Sequence, residues 1–490
     1  MGKLYIIGVG GSGSRVLQSL LMLLASGQKI NASEIVPMII DTDANNGNLN
    51  DFKSVARLYS EINDTIAKDN NEEVDGHFFH TKVRNSVDIT VDGRQFRNLK
   101  ELINYNGIRS SSSKKLIDLL FSEDNLQMPL EKGFVGNPNI GSVVLNYIIH
   151  HSDQFLEFTQ QFAEGDRIFI VSSIFGGTGA AGFPLLLNNF RKNDEMERTK
   201  LLNEAIIGAV TVLPYFAVAK KEETPDKSLE NYDVDSNTFI MKTKAALNYY
   251  AQYVSDSIDA LYFIGDYKRS TFKNQKGGIN QNNPASFIEL AAAMSAIDFM
   301  DYYPEKTKRG DLPHPNNFGE FSLDKDADEI NFEVLDDEDA FSGPLVRQHL
   351  FRLFFRDHLK ESLETRKLRW KTELDMDANF LKSNSGLAKS LTRFYEFYDQ
   401  WLEGMQYESH ARVFKPFLTG DTSRKNLLGL FNGKKPKMKK TLFSGESIPT
   451  VDLDKFLNEA EVKKNGTKDQ RFMDLMNRGF QNIYNHYFLQ

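Results

Sequence analysis

The chain has 490 residues, 59 Lys and Arg against 67 Asp and Glu for a formal net charge of −8, and 40% hydrophobic residues. That composition is globular and excludes wholesale disorder, collagen-like repeats and a disulfide scaffold. Cysteine is absent, which removes disulfides, thiolate metal sites, iron–sulfur clusters and cysteine nucleophiles, and the net acidity argues against a nucleic-acid partner.

The predicted elements begin with Leu4 to Ile7, a continuous apolar run ending in glycines, as a buried parallel strand does. Leu17, Leu20, Leu21 and Leu24 then follow at the spacing of an amphipathic helix, with Gly27 as its stop. The apolar run at Leu20 to Ala25 is far shorter than the roughly 18 residues of a membrane span. Only Lys3 is basic ahead of Leu4, and no small-residue cleavage site follows, so no signal peptide is expected. A cytoplasmic location without a membrane partner is the expectation. Val36 to Ile40 is a second strand, ending in Asp41-Thr42-Asp43, which completes a βαβ unit.

The pattern recurs downstream. Arg167 to Ser173 reads as a strand, Gly176 to Gly182 as a turn and Phe183 to Phe190 as a helix. Ala205 to Leu213 and Ile258 to Ile264 are further strands, with helical periodicity between them at Lys242 to Tyr253. Phe287, Leu290, Ala291 and Met294 mark one more helix. Strands alternating with helices predict an open, Rossmann-like α/β nucleotide-binding domain over residues 1–303. Residues 304–342, rich in Pro and Asn and then densely acidic, read as a linker or insertion. Residues 343–490 read as a predominantly helical C-terminal domain. Its stripes are Val346, Leu350, Leu353 and Phe354; Phe394, Phe397, Tyr398 and Trp401; and Phe472, Leu475, Met476, Phe480, Ile483 and Tyr484.

Three glycine loops carry the chemistry. Gly8-Val9-Gly10-Gly11-Ser12-Gly13 lies where a strand gives way to a helix; glycine lets a phosphate approach the backbone, and the helix turns its free N–H groups and positive end toward it. Phe175-Gly176-Gly177-Thr178-Gly179-Ala180-Ala181-Gly182 occupies the same kind of junction, and Thr178 adds a hydroxyl donor. Two such loops grip the two ends of a polyphosphate, which a single dinucleotide fold does not require. Gly133 to Gly141 is a third loop, turned by Asn137-Pro138.

In this order, the loops and the Asp41-Thr42-Asp43 strand end resemble the tubulin/FtsZ superfamily over roughly residues 1–300. Gly10, Gly11, Ser12 and Gly13 resemble its first phosphate loop. Asp41-Thr42-Asp43-Ala44 is similar to its Asn-Thr-Asp-Ala segment, which lies near the nucleotide and Mg²⁺. Gly136 and Asn137 fall in a match to its Gly-Asn-Pro-Glu-Val-Gly loop, and Gly176, Gly177, Thr178 and Gly179 match the heart of its signature loop. The resemblance implies GTP or GDP as ligand, Mg²⁺ held through Asp43, base contacts at Asp266 and near Asn283, slow hydrolysis, and assembly or switching with nucleotide. It also implies self-association or a protein partner engaged through the helical region.

The departures are specific. Phe175 stands in place of the first signature glycine, Ala180 and Ala181 in place of the Ser/Thr-Gly pair, and Asp266 in place of the base-binding asparagine. No counterpart of the Asn-x-Asp-Phe-x-Asp catalytic segment follows Phe299, so no catalytic residue is assigned. Two alternatives stay open. One is a nucleotide-regulated scaffold without hydrolysis. The other is an NAD(P)-binding Rossmann oxidoreductase, since Gly8-x-Gly10-x-x-Gly13 also fits that fingerprint and Asp41 could bind a ribose. An adenylating enzyme of the ubiquitin-activating type is excluded in its thioester-forming and zinc-bearing versions by the lack of cysteine. His77, His80, His150 and His151 lack a metal-binding constellation, and the lysines from Lys434 to Lys440 read as a solvated loop.

Overall fold

The computed structural model describes the chain except residues 44–45, 68–75, 90–95, 131–133, 135–136, 192–196, 219–237, 273–281, 302–322, 324–326, 336–339, 366, 383–385, 442–444 and 490. The described residues form a mixed α/β fold around a six-stranded sheet in the order β3-β2-β1-β4-β5-β6, parallel throughout. The strands are β1 (Leu4–Val9), β2 (Ile35–Ile40), β3 (Val87–Ile89), β4 (Arg167–Ser173), β5 (Ile206–Val212) and β6 (Ala260–Ile264). Every residue of β1, β2 and β4 is buried, as expected of parallel strands covered on both faces.

Helices make the crossovers. They include α1 (Gly10–Ala25), α2 (Gly47–Ile66), α3 (Pro138–His151), α4 (Gly177–Arg191) and α5 (Phe239–Tyr253), with α6 (Phe287–Asp301) following the last strand. The ring of Phe299 on α6 lies against β5 so closely that a Cβ on Gly208 would stand 2.6 Å from it. That contact requires glycine there, and it clamps α6 onto the sheet.

The register places all strand ends on one edge. Val9 lies opposite Ile40, Ser173 opposite Val212, and Val212 opposite Ile264. The loops leaving β1, β2 and β4 therefore emerge side by side. Because β1 continues to β2 on one side while β4 flanks it on the other, the sheet has its topological switch point between β1 and β4. In open α/β sheets this is where ligands bind.

The helical region is seated on the same core. Its main helices are α7 (Ser342–Leu353), which runs through a π-helical turn at Phe354–His358 into Leu359–Thr365, α8 (Gly386–Met405) and α9 (Lys468–Tyr487). Helix α9 starts with a capping box between Thr467 and Gln470. Phe78 stacks on Phe351 at 5.2 Å, Phe79 meets Phe394 edge-on at 4.8 Å, and Trp401 Nε1 donates to Ser19 Oγ of α1 at 3.0 Å. Residues 324–326 and 336–339 of the acidic 324–339 stretch lie outside the described residues. Within it, Glu329–Ile330 pairs with Val413–Phe414, which attaches this part to the C-terminal half. No helix among the described residues is long and apolar enough to cross a membrane.

Two boundaries differ from expectation. Helix α4 starts at Gly177 rather than after Gly182, and α3 starts at Pro138. Pro138 to Gly141 and Gly177 to Gly182 are thus helical, not parts of free loops. Proline at N1 costs nothing because that N–H has no intrahelical partner. The small residues of α4 permit close approach, since a Cβ on Gly182 would lie 2.5 Å from Val9 Cγ1.

Candidate functional site

Gly10 leaves β1 with φ of +73°, a left-handed conformation that favours glycine. A Cβ added there would stand 3.2 Å from Thr178 Cβ, so the first glycine loop touches the second. On Gly13 it would meet the Gly8 backbone at 2.7 Å, and on Gly179 the Ser173 backbone at 2.7 Å; each helix sits directly on its own strand end. Gly11 is different. Its nearest neighbour would be Asn46 Nδ2 at 3.6 Å, so this position is open toward the N-cap of α2.

The third segment joins through α3. A Cβ on Gly141 would lie 2.9 Å from Ala181 Cβ and 3.0 Å from Gly177 O, which puts the first turns of α3 and α4 together. Neither α1 nor α3 has a side-chain cap at its N-terminus. The N-terminal ends of α1, α3 and α4 thus converge near the switch point, with α2 alongside through Asn46. Each such end carries about half a positive charge and unsatisfied N–H groups. The arrangement suits an anion with several oxygens.

Carboxylates border this positive pole. Asp41 and Asp43 follow β2 and are each 4% exposed, and the Asp43 N–H donates to Asp41 Oδ1 at 3.2 Å. Burial is the main reason the Asp41 carboxyl is pushed up to about 7; the charge of Asp43 adds to it, while backbone N–H groups and Lys53 oppose it. Lys53 on α2 pairs with Asp88 in the middle of β3 at 2.7 Å. Thr42 Oγ1, Asn48 Nδ2 and Asp88 Oδ1 are buried without a hydrogen-bond partner among the described residues. Buried polar atoms rarely stay unpaired, so these three suit a polar ligand.

The other expected residues divide. Asn283 is at the site: its N–H donates to Asn48 Oδ1 at 3.1 Å, and Asn282 Nδ2 donates to Asp51 Oδ2 at 3.1 Å. Asn137 occupies the position before α3 without a side-chain cap bond, Gly176 precedes α4, and Ser12 lies in the first turn of α1. Asp266 lines a small cavity with Tyr215, Ser286 and Arg412. It follows β6, three strands away from β1, and is ion-paired with Arg412 at 2.7 Å. Gly136 lies outside the described residues.

The structure adds residues that sequence reading missed. Asn46 accepts from the N–H groups of Asn48 and Leu49 at 3.0 and 3.4 Å. Its signal was present: an Asn-Gly-Asn segment directly before the apolar stripe of α2 is an N-cap signature. Buried Arg15 of α1 ion-pairs with Glu289 of α6 and donates to Tyr215 Oη at 2.8 Å. A lone arginine in a helix whose neighbours are apolar was the only hint of it.

No metal cluster of three or more His, Cys, Asp or Glu occurs among the described residues. Two carboxylates beside an anion cradle still suit Mg²⁺, which usually takes one or two carboxylates and completes its shell with waters and phosphate oxygens. Asp43, with Asp41 beside it, would hold it.

No family model and no curated protein matches the chain. Among solved structures it is similar to CetZ from Methanosaeta thermophila strain DSM 6194, at 15% identity over 61% of this chain and 52% of that one, with a TM-score of 0.27. It is also similar to CetZ2 from Haloferax volcanii in a GTPγS-bound protofilament, at 12% identity over 61% and 58%, with a TM-score of 0.29. The chain spans little more than half the length of either, and likenesses this distant carry no weight for the site. The mixed α/β fold with its parallel sheet, and the glycine segments gathered at its carboxyl edge, rest on the chain's own structure.

Proposed function

We propose that this protein binds a guanine nucleotide with Mg²⁺ at the carboxyl edge of the sheet and switches or assembles with it, hydrolysing it slowly. The observation that carries the reading is the contact between the two glycine segments at Gly10 and Thr178. It brings together helix ends that would otherwise cradle separate ligands. The phosphates take the N–H groups of Gly10 to Gly13 and Gly177 to Gly179. Asp43, with Asp41 beside it, would hold Mg²⁺, which would supply neutralisation of phosphate charge. Guanine as the base, hydrolysis and self-association are supported by the spacing of the tubulin/FtsZ-like motifs in the sequence.

One observation favours a dinucleotide instead. The strand order, with an acidic residue directly after β2, is also that of an NAD-binding sheet. Calorimetric titration with GTP, GDP, ATP and NAD in the presence of Mg²⁺ separates the two. Micromolar GTP binding without NAD binding supports the proposal, and the reverse overturns it. Sedimentation with and without GTP distinguishes a nucleotide-dependent assembly from a monomeric switch.

A further inference from the structure

Arg15, Tyr215 and Glu289 come from three separate parts of the chain and meet in the interior. Arg15 and Glu289 are 6% and 1% exposed, and Tyr215 is 4% exposed. Glu289 Oε1 accepts from Arg15 Nε and from the Tyr215 hydroxyl, the latter at 2.6 Å, and that hydroxyl accepts from Arg15 Nη2 at 2.8 Å. Both ends of the unit reach outward. Arg15 Nη2 also lies 3.5 Å from Ser12 Oγ in the first glycine loop. Glu289 Oε2 accepts from the Ser286 N–H at 3.1 Å, which fixes the start of α6. Just before Ser286 come Asn282 and Asn283, which bind Asp51 and Asn48 of α2.

Taking a charged pair this far out of water is costly, and a pair of well-packed apolar residues would hold α1 to α6 as stably. Stability therefore does not explain the polar unit. What it does, and apolar packing does not, is fix the direction of two hydrogen-bonding segments relative to each other. One reaches the first glycine loop through Ser12; the other leads through Asn282 and Asn283 to α2 beside that loop.

We infer that Arg15, Glu289 and Tyr215 are positioning residues that lock the Asn282–Ser286 segment to the first glycine loop, so that the phosphate and nucleoside ends of a ligand are held as one site. The inference rests on the nucleotide-site reading above. Without the lock, the phosphate cradle remains but the nucleoside adds little affinity. Discrimination for the nucleoside is the property that the unit controls.

The test compares tripolyphosphate with GTP, both with Mg²⁺, by calorimetry on the full chain. The variants are Tyr215→Phe, which removes one hydroxyl and keeps the ring, and the double substitution Arg15→Met with Glu289→Met, which keeps volume and removes both polar reaches. The expected result is a fall of at least 10-fold in the preference for GTP over tripolyphosphate in the double variant. A smaller fall is expected in Tyr215→Phe, and the melting temperature should stay within a few degrees of the wild type in both. A preference that is unchanged in the two folded variants overturns the inference while leaving the nucleotide reading intact. A wild-type protein that binds neither ligand overturns the reading itself.

Discussion

Gly10 and Thr178 are the point at which two halves of the sheet meet. Gly10 follows β1 in a left-handed conformation, and the space where its Cβ would be lies 3.2 Å from Thr178 Cβ on the first turn of α4. Gly10→Ala therefore meets two penalties: about 1–2 kcal/mol for the left-handed backbone, and crowding that pushes the second segment away. It should lower the melting temperature and weaken nucleotide binding together. Gly11→Ala, with open space around it, should change neither much. Thermal melts and titrations on the two variants check the contrast.

Asp41 gives a pH dependence of known sign. Its folded-state value is raised to about 7 by burial, against about 3.9 in an unfolded chain. Between those values the folded protein holds a proton that the unfolded chain has lost. Without metal or nucleotide, this group's contribution thus falls as pH rises from about 4 to 7 and stays low above. Asp41→Asn removes the dependence. Denaturant melts in a chelator should show the variant gaining on the wild type as pH rises, with a ceiling on the order of 4 kcal/mol.

His349 acts in the opposite direction. It is buried on α7, stacked on Phe417 with ring centroids 3.8 Å apart, and burial followed by nearby Arg352 holds its imidazole well below the usual histidine range. The unfolded chain gains a proton near pH 6.5 that the folded one does not accept. Stability is full above that pH and declines below it, by up to about 1.4 kcal/mol per unit. His349→Phe, which keeps the stack, should flatten the acid limb between pH 6.5 and 5. An unchanged slope would mean that other groups dominate it.

Trp401 and Ser19 join the helical region to α1, the helix that begins with the first glycine loop. Trp401→Phe leaves a buried hydroxyl without its donor, which costs about 1–3 kcal/mol. Ser19→Ala removes both the hydroxyl and the need for a donor. In a double-mutant cycle the two losses should be non-additive, with the second substitution costing little once the first is made.

Much of the sheet was legible because parallel strands buried on both faces are continuous apolar runs: β1, β2, β4 and β5 fall where Leu, Ile, Val and Phe cluster, and partly exposed β6 shares that composition. Strand β3 was not legible, since Val87–Ile89 is only three residues and half-exposed at the edge. The glycine segments were visible, but their helical conformation was not. Glycine reads as a turn unless the close packing that demands it, as at Gly182 against Val9, is known. Asp41 and Asp43 follow β2, next to β1, whereas Asp266 follows a strand of similar appearance three places from β1. Nothing local in a strand records its place in the sheet. The Arg15–Glu289 pair, 274 residues apart in the chain, was out of reach for the same reason.

The central claim is that the joined glycine segments bind a nucleotide through its phosphates. The most direct measurement is calorimetric titration of GTP with Mg²⁺ into the wild type and Gly11→Asp, which places a carboxylate at a cradle glycine with room for it. The account predicts micromolar binding by the wild type and a loss of at least 30-fold in Gly11→Asp, with the melting temperature of the ligand-free protein little changed. Equal GTP affinity in both proteins would contradict it, because a cradle of N–H groups for phosphate does not tolerate a fixed negative charge at its centre.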